Sequence, residues 1–219
     1  MKKGILTLSA LGIWACSGQI QAKVNVCVFD LLGKAGESYK LIEEWALLSK
    51  TWGAEVNLLP YQDEAKAEKD FKGGICGAFY MTSMRARAYS KFAGSIDALG
   101  GVPNNGIAQK AIAYVLDKRN ARRLVTKAGS ESYEVAGIGQ IGSAYIFVKD
   151  RRLNSVAEVK DKKFAVLHYD RAQKQMVERI GAKPVMSDIS NFVRKFNSGE
   201  VDLVAAPAYA FKPLEIHKG

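Results

Sequence analysis

Nucleophiles, general bases and metal ligands are few in this 219-residue sequence, and none stands in a working pattern. The two histidines are His168, in LHYD, and His217, near the end of the chain. Neither has a cysteine or carboxylate neighbour at metal-ligand spacing, and Cys16, Cys27 and Cys76 show no such spacing either. No G-x-S-x-G elbow occurs, so nothing marks a serine nucleophile, although triads assemble in space and a sequence alone does not exclude one. Gly137 to Gly142 (GIGQIG) matches G-x-G-x-x-G formally. That motif works only between a strand and a helix whose N-terminus holds the pyrophosphate. The next residues, Ser143 to Val148, are aromatic and β-branched, which suits a bending strand better. No catalytic residue, metal or cofactor is expected, and a non-enzymatic role is.

The elements around these residues alternate. From Val159 to Pro207 the chain reads strand (164–167), helix (172–180, stopped at Gly181), strand (184–186), helix (189–196, ended near Gly199) and strand (201–206). Ser187 has the chemistry of an N-cap for the second helix. The same order appears earlier: strand 24–30, amphipathic helix 38–52, strand 55–59, polar helix 64–71, strand 75–80. Between the two halves the pattern predicts a short helix after a cap at Thr82 or Ser83, a strand at 92–99, a loop at 100–106 and one long basic helix at 106–127. A turn at 127–132 and a strand crossing at 133–148 come next, and residues 208–219 read as a weakly structured basic end. This alternation implies two parallel α/β lobes. Open parallel sheets bind solutes outside the carboxyl ends of their strands. The loops there hold Asp30, Tyr80, Thr82, Ser83, His168, Tyr169, Arg171 and Tyr209 as candidate ligand-binding residues. Asp30 is equally a helix cap and Arg171 equally a solvated helix residue.

Met1-Lys2-Lys3, the apolar core Ile5 to Ala15 and Ile20-Gln21-Ala22 form a signal peptide cut before Lys23. A lipoprotein cut before Cys16 is the alternative. The formal charge of +10 falls to +8 without Lys2 and Lys3, and much of the excess lies in residues 106–127. A solvated basic face explains it, and so does attraction to anionic solutes or lipid headgroups. Nucleic acid is not expected, because that basic stretch lacks interleaved aromatic residues.

VAEVKDKKFAV, IGAKPVMSD and FNSGEVDLVAAP resemble the second lobe of TRAP-type, type II periplasmic solute-binding proteins. FKGGICGAFYMTSMRARAYSKFAG is similar to the AdeT group of solute-binding proteins, which carry a label as RND efflux components. The resemblance implies a two-lobed fold in which each lobe is a mostly parallel sheet flanked by helices: residues 1–22 signal peptide, 23–135 first lobe, 136–206 second lobe, 207–219 crossing segment and tail. It implies capture of a small, anionic solute for a membrane transporter. The alternative is a non-catalytic envelope accessory of an efflux system linked to drug resistance. First and third strands are neighbours in such lobes, so Cys27 and Cys76 either pair as a disulfide in an oxidising compartment or stay as two buried thiols. In TRAP proteins an arginine in the first strand of the second lobe clamps the substrate carboxylate; Ala165 stands at that position here, leaving Arg171 as a substitute. Relatives return to the first lobe after the last strand. This chain looks C-terminally shortened, its first lobe incomplete, with apolar surface exposed in consequence.

Overall fold

The computed structural model describes residues 23–219; the expected signal peptide and Cys16 lie outside them. The first sheet orders β2 (Val56–Tyr61), β1 (Val24–Phe29) and β3 (Ala78–Tyr80), all parallel. The period-2 alternation of β1 divides its side chains between two layers. Val26 and Val28 pack under α1 (Glu37–Thr51) with Tyr39 and Ile42. Cys27 packs on the other face with Ala67 and Phe71 of α2 (Glu64–Lys72). There it is bonded to Cys76, with Cα atoms 5.7 Å apart. Cys76 lies just before β3, because that strand is shorter than the expected 75–80. A closed loop of 49 residues restrains the unfolded chain by about 4 kcal/mol on a chain-entropy estimate.

Each face of the first sheet thus carries a helix. What stays bare is the outer side of α1. Leu41, Trp45, Leu48 and Trp52, spaced as one helical stripe, are between 43% and 73% exposed.

Past β3 the chain departs from the alternating pattern. Thr82 caps α3 (Ser83–Ala86) through a hydrogen bond its Oγ1 accepts from Arg85 N. Residues 92–99 are not a strand. Ser90 Oγ accepts from Ala93 N and starts α4 (Lys91–Gly94), which passes into a 3-10 turn at Ser95–Asp97. The basic segment is not one helix either. α5 (Asn105–Val115) ends where Asp117 accepts from Arg119 N and the buried Asn120 donates to Tyr114 O. These short polar side chains give the backbone an alternative to the helix. After the short α6 (Ala121–Leu124) comes a hairpin of β4 (Val125–Ala128) and β5 (Glu131–Glu134). Tyr133 of the hairpin packs on Phe71 and Tyr89, which fastens it to α2.

Residues 135–143 have no regular structure and lead into a strand, so the glycine motif opens no helix. The second sheet orders β6 (Ala144–Val148), β9 (Leu203–Pro207), β7 (Lys163–Leu167) and β8 (Lys183–Ser187). β6 is antiparallel to β9, and the other pairs are parallel. α7 (Arg171–Arg179) covers Phe164 and Val166 with Val177. α8 (Phe192–Asn197) covers Ala165 and Val204 with Phe192 and Phe196. α7 ends at Gly181, whose φ of +77° suits a residue without Cβ. Ser187 is no cap: it is the last residue of β8, and its hydroxyl donates to Val185 O. Nor is the chain end weakly structured. Ala210 and Ile216 are buried against Phe196 and Val201, in the core of the second sheet.

Candidate ligand cleft

The expected site residues fall into two groups, with His168 beside the second and two outliers. The first group lies at the start of α1. Asp30 Oδ1 accepts from Leu32 N (2.8 Å), and Oδ2 accepts from Ser38 N (3.0 Å) and Tyr39 N (3.2 Å). The carboxylate occupies the place where a Cβ on Gly36 would sit, 1.8 Å from Oδ1, so only glycine allows this cap. Tyr80 packs half-buried against the α1 layer, and Tyr209, reaching over from the end of β9, is 43% exposed. Burial and then the Asp30 carboxylate push the Tyr209 phenol up, with Tyr80 and Glu37 adding to it. Asp30, Tyr80 and Tyr209 therefore share one corner between the lobes.

The second group is built on a fully buried carboxylate that no pattern in the sequence singles out as functional. Glu64, the first residue of α2, accepts from Thr82 N at Oε1 (2.7 Å) and from the Tyr169 hydroxyl at Oε2 (3.0 Å). Arg85, 7% exposed, brings Nε within 3.0 Å of Glu64 Oε2, close enough for ion pairing but off line for a hydrogen bond. Its Nη1 pairs with Glu68, and its guanidinium lies 4.1 Å from the Tyr169 ring centre. Burial alone would lower the Arg85 pKa; the two carboxylates outweigh it and raise it. Burial, and then Glu64, push the Tyr169 phenol up. Glu68 also accepts from the Tyr89 hydroxyl and pairs with Lys72, each at 2.8 Å. Burial raises its pKa, but these donors and Arg85 bring it below the usual carboxylate value.

A second tie joins the lobes beside the first. Arg87 Nη1 meets Asp170 Oδ1 at 3.1 Å, while Nη2 holds Asp97 Oδ2 at 2.7 Å. Asp170 Oδ1 also accepts from Gln173 N, which caps α7. His168 is half-exposed, its Nδ1 2.7 Å from Asp188 Oδ1. The outliers, Ser83 and Arg171, are exposed. Between the lobes lies a recess of about 130 Å³, lined by Asp63, Ala65 and Arg85 from one side and Asp188, Ile189 and Ser190 from the other. Glu64, Glu68, Arg85 and Arg87 escape a reading of the sequence because charged residues on a polar helix and in a basic RAR run look solvated. Their one sequence signal is that Glu64 opens a helix directly after its cap. Among the described residues no group of three or more His, Cys, Asp or Glu side chains could hold a metal ion, and no helix is long and apolar enough to cross a membrane.

Comparison with known proteins identifies the fold and the family. The solved structure of a TRAP periplasmic solute-binding protein from Desulfovibrio salexigens, with bound orotic acid, superposes with a TM-score of 0.69 at 13% identity, covering 90% of this chain and 63% of that one. The apo ectoine-binding protein TeaA gives 0.64 at 9% identity, with the same coverage of 90% and 63%. These likenesses show the two-lobed binding-protein fold. Among relatives in sequence, the probable solute-binding protein AdeT1 of Acinetobacter baumannii is 40% identical over 192 residues, 88% of this chain and 62% of AdeT1. AdeT2 of the same organism is 29% identical over 125 residues, 57% of this chain and 51% of AdeT2. The chain therefore spans between half and two-thirds of the length of these relatives. The profile described as "Solute-binding protein AdeT 1/2" matches residues 46–219, and on that match the chain belongs to the AdeT 1/2 solute-binding family.

Proposed function

We propose that this protein is an exported, non-catalytic solute-binding protein that closes its two lobes on a small molecule and presents it to a membrane transporter. The observation that carries this reading is the pair of ties across the cleft, Tyr169 to Glu64 and Arg87 to Asp170, between residues 105 and 83 positions apart. They bring the carboxyl ends of the parallel strands of two sheets together around a recess, which is where such sheets bind solutes. Tyr80, Tyr169 and Tyr209 offer apolar area and hydroxyls to a ligand, with Thr82, Ser83, His168 and Arg171 at the rim. Asp30 acts indirectly, by fixing the start of α1. The lobes run over residues 23–135 and 136–219, the last residues packing in the second core, so hinge motion falls at the single crossing, residues 133–141. The leader directs the protein to the periplasm, either free or anchored at Cys16.

Calorimetric melting with a panel of sugars, carboxylates, amino acids and amines tests the reading. A ligand-dependent rise in melting temperature is expected. Absence of any rise across the panel would remove the binding function.

A further inference from the structure

Among the described residues, two buried side-chain polar atoms lack a hydrogen-bond partner, Arg85 Nε and Asn197 Oδ1, and the first belongs to a residue lining the recess. A buried donor left unmade costs free energy, so its persistence calls for a reason. Arg85 Nε lies 3.0 Å from Glu64 Oε2, the same oxygen that accepts from the Tyr169 hydroxyl at 3.0 Å, yet its N–H points off line. A guanidinium is a rigid planar fork whose donors keep fixed directions. Here Nη1 is turned to Glu68, and the group lies 4.1 Å from the centre of the Tyr169 ring. Tyr169 therefore acts on the pair twice, donating its hydroxyl to Oε2 and holding the fork with its ring.

Glu64 and Arg85 belong to the first lobe and Tyr169 to the second, so ring and hydroxyl leave together when the lobes part. Glu64 is fully buried, and its other hydrogen-bond donor is Thr82 N on Oε1. A buried carboxylate stripped of its cross-lobe donor would make opening costly. The second tie shows how such a cost is avoided. Without each other, Arg87 still holds Asp97, and Asp170 still accepts from Gln173 N. Each partner of that tie thus keeps a substitute within its own lobe.

Building on the reading of a closing cleft, we infer that Glu64 Oε2 exchanges donors as the cleft works: the Tyr169 hydroxyl when the lobes are closed, the Arg85 Nε–H when they are apart. The nitrogen already stands at hydrogen-bond distance, and a turn of the freed guanidinium brings its N–H into line. The unmade bond of the closed form is then the reserve that keeps Glu64 partnered in the open form. Closed and open states stay near in free energy, and a modest ligand contribution decides between them.

Exchange of the Arg85 Nε–H with water, followed by heteronuclear NMR on the unliganded protein, tests this directly. Arg85→Lys identifies the resonance by its absence. Tyr169→Ala removes both ring and hydroxyl, and Arg87→Ala loosens the other tie. Exchange should slow by about tenfold or more in Tyr169→Ala, as the N–H gains a bond to a carboxylate, and by less in Arg87→Ala. Unchanged or faster exchange in Tyr169→Ala would overturn the inference, since the N–H would then be opening to solvent and not replacing the hydroxyl. Slowing in Tyr169→Ala with none in Arg87→Ala would overturn the link to lobe opening. No ligand enters this experiment, so either failure leaves the solute-binding reading to be decided by its own melting panel.

Discussion

Glu64 is where a single atom change should cost most. Glu64→Gln leaves the Arg85 guanidinium in the interior with one of its two carboxylates gone. Breaking one side of a buried charge cluster costs about 3–5 kcal/mol. Tyr169→Phe removes only the hydroxyl donated to that carboxylate, a loss of about 1.5–3 kcal/mol, and keeps the ring over Arg85. Urea denaturation of the two variants should rank them in that order; a smaller loss for Glu64→Gln than for Tyr169→Phe would mean the carboxylate is not the hub. Glu68 adds a pH signature. Its folded pKa lies below the ordinary carboxylate value, so the stability it contributes is present above that value and is lost as pH falls through the folded pKa. The urea midpoint should therefore decline on acidification below about pH 4.5, and less steeply in Glu68→Gln.

At the scale of elements, the disulfide and α1 make opposite predictions. Cys27 and Cys76 are both buried, and their bond ties the central strand to the entry of β3. Replacing both with serine should cost about 2–5 kcal/mol, and reductant should lower the melting temperature of the parent toward that of the variant. Substituting Trp52 or Leu48 with serine should change stability by no more than about 0.5 kcal/mol, since both face outward. The same substitutions should reduce any self-association in sedimentation, because the stripe is an exposed apolar surface open to a second molecule. The elements legible in the sequence are the short apolar runs β1 and β7 and the helices with an apolar period and a glycine stop, α1 and α7. The segment 92–99 misleads because Phe92, Ile96 and Leu99 suggest a buried strand, while the deciding contact is the Ser90 cap. The basic segment suggests too long a helix for a related reason. Charge runs on through Asp117 and Asn120 without a proline or glycine to mark the break.

For the whole molecule, closure is the testable property. Small-angle scattering should show a smaller radius of gyration with a bound ligand than without. Replacing Arg87 with alanine removes one tie across the cleft and should broaden the unliganded ensemble while leaving both sheets intact. The two-lobed plan is legible because local alternation of strand and helix dictates it. The cleft is legible only in part. Loops at strand ends can be named from order alone, but the pairing of Glu64 with Tyr169 spans 105 positions, and no local period announces it.

The outward stripe of α1 has an optical consequence. Among the described residues the tryptophans are Trp45 and Trp52, both on that stripe and 43% and 73% exposed. Their indoles are already largely hydrated in the native state, so unfolding should change their emission little, and a fluorescence melt would understate a real transition. The same two rings would shift sharply to the blue if any surface came to lie along the helix, which makes them a built-in reporter of contact and a poor one of folding.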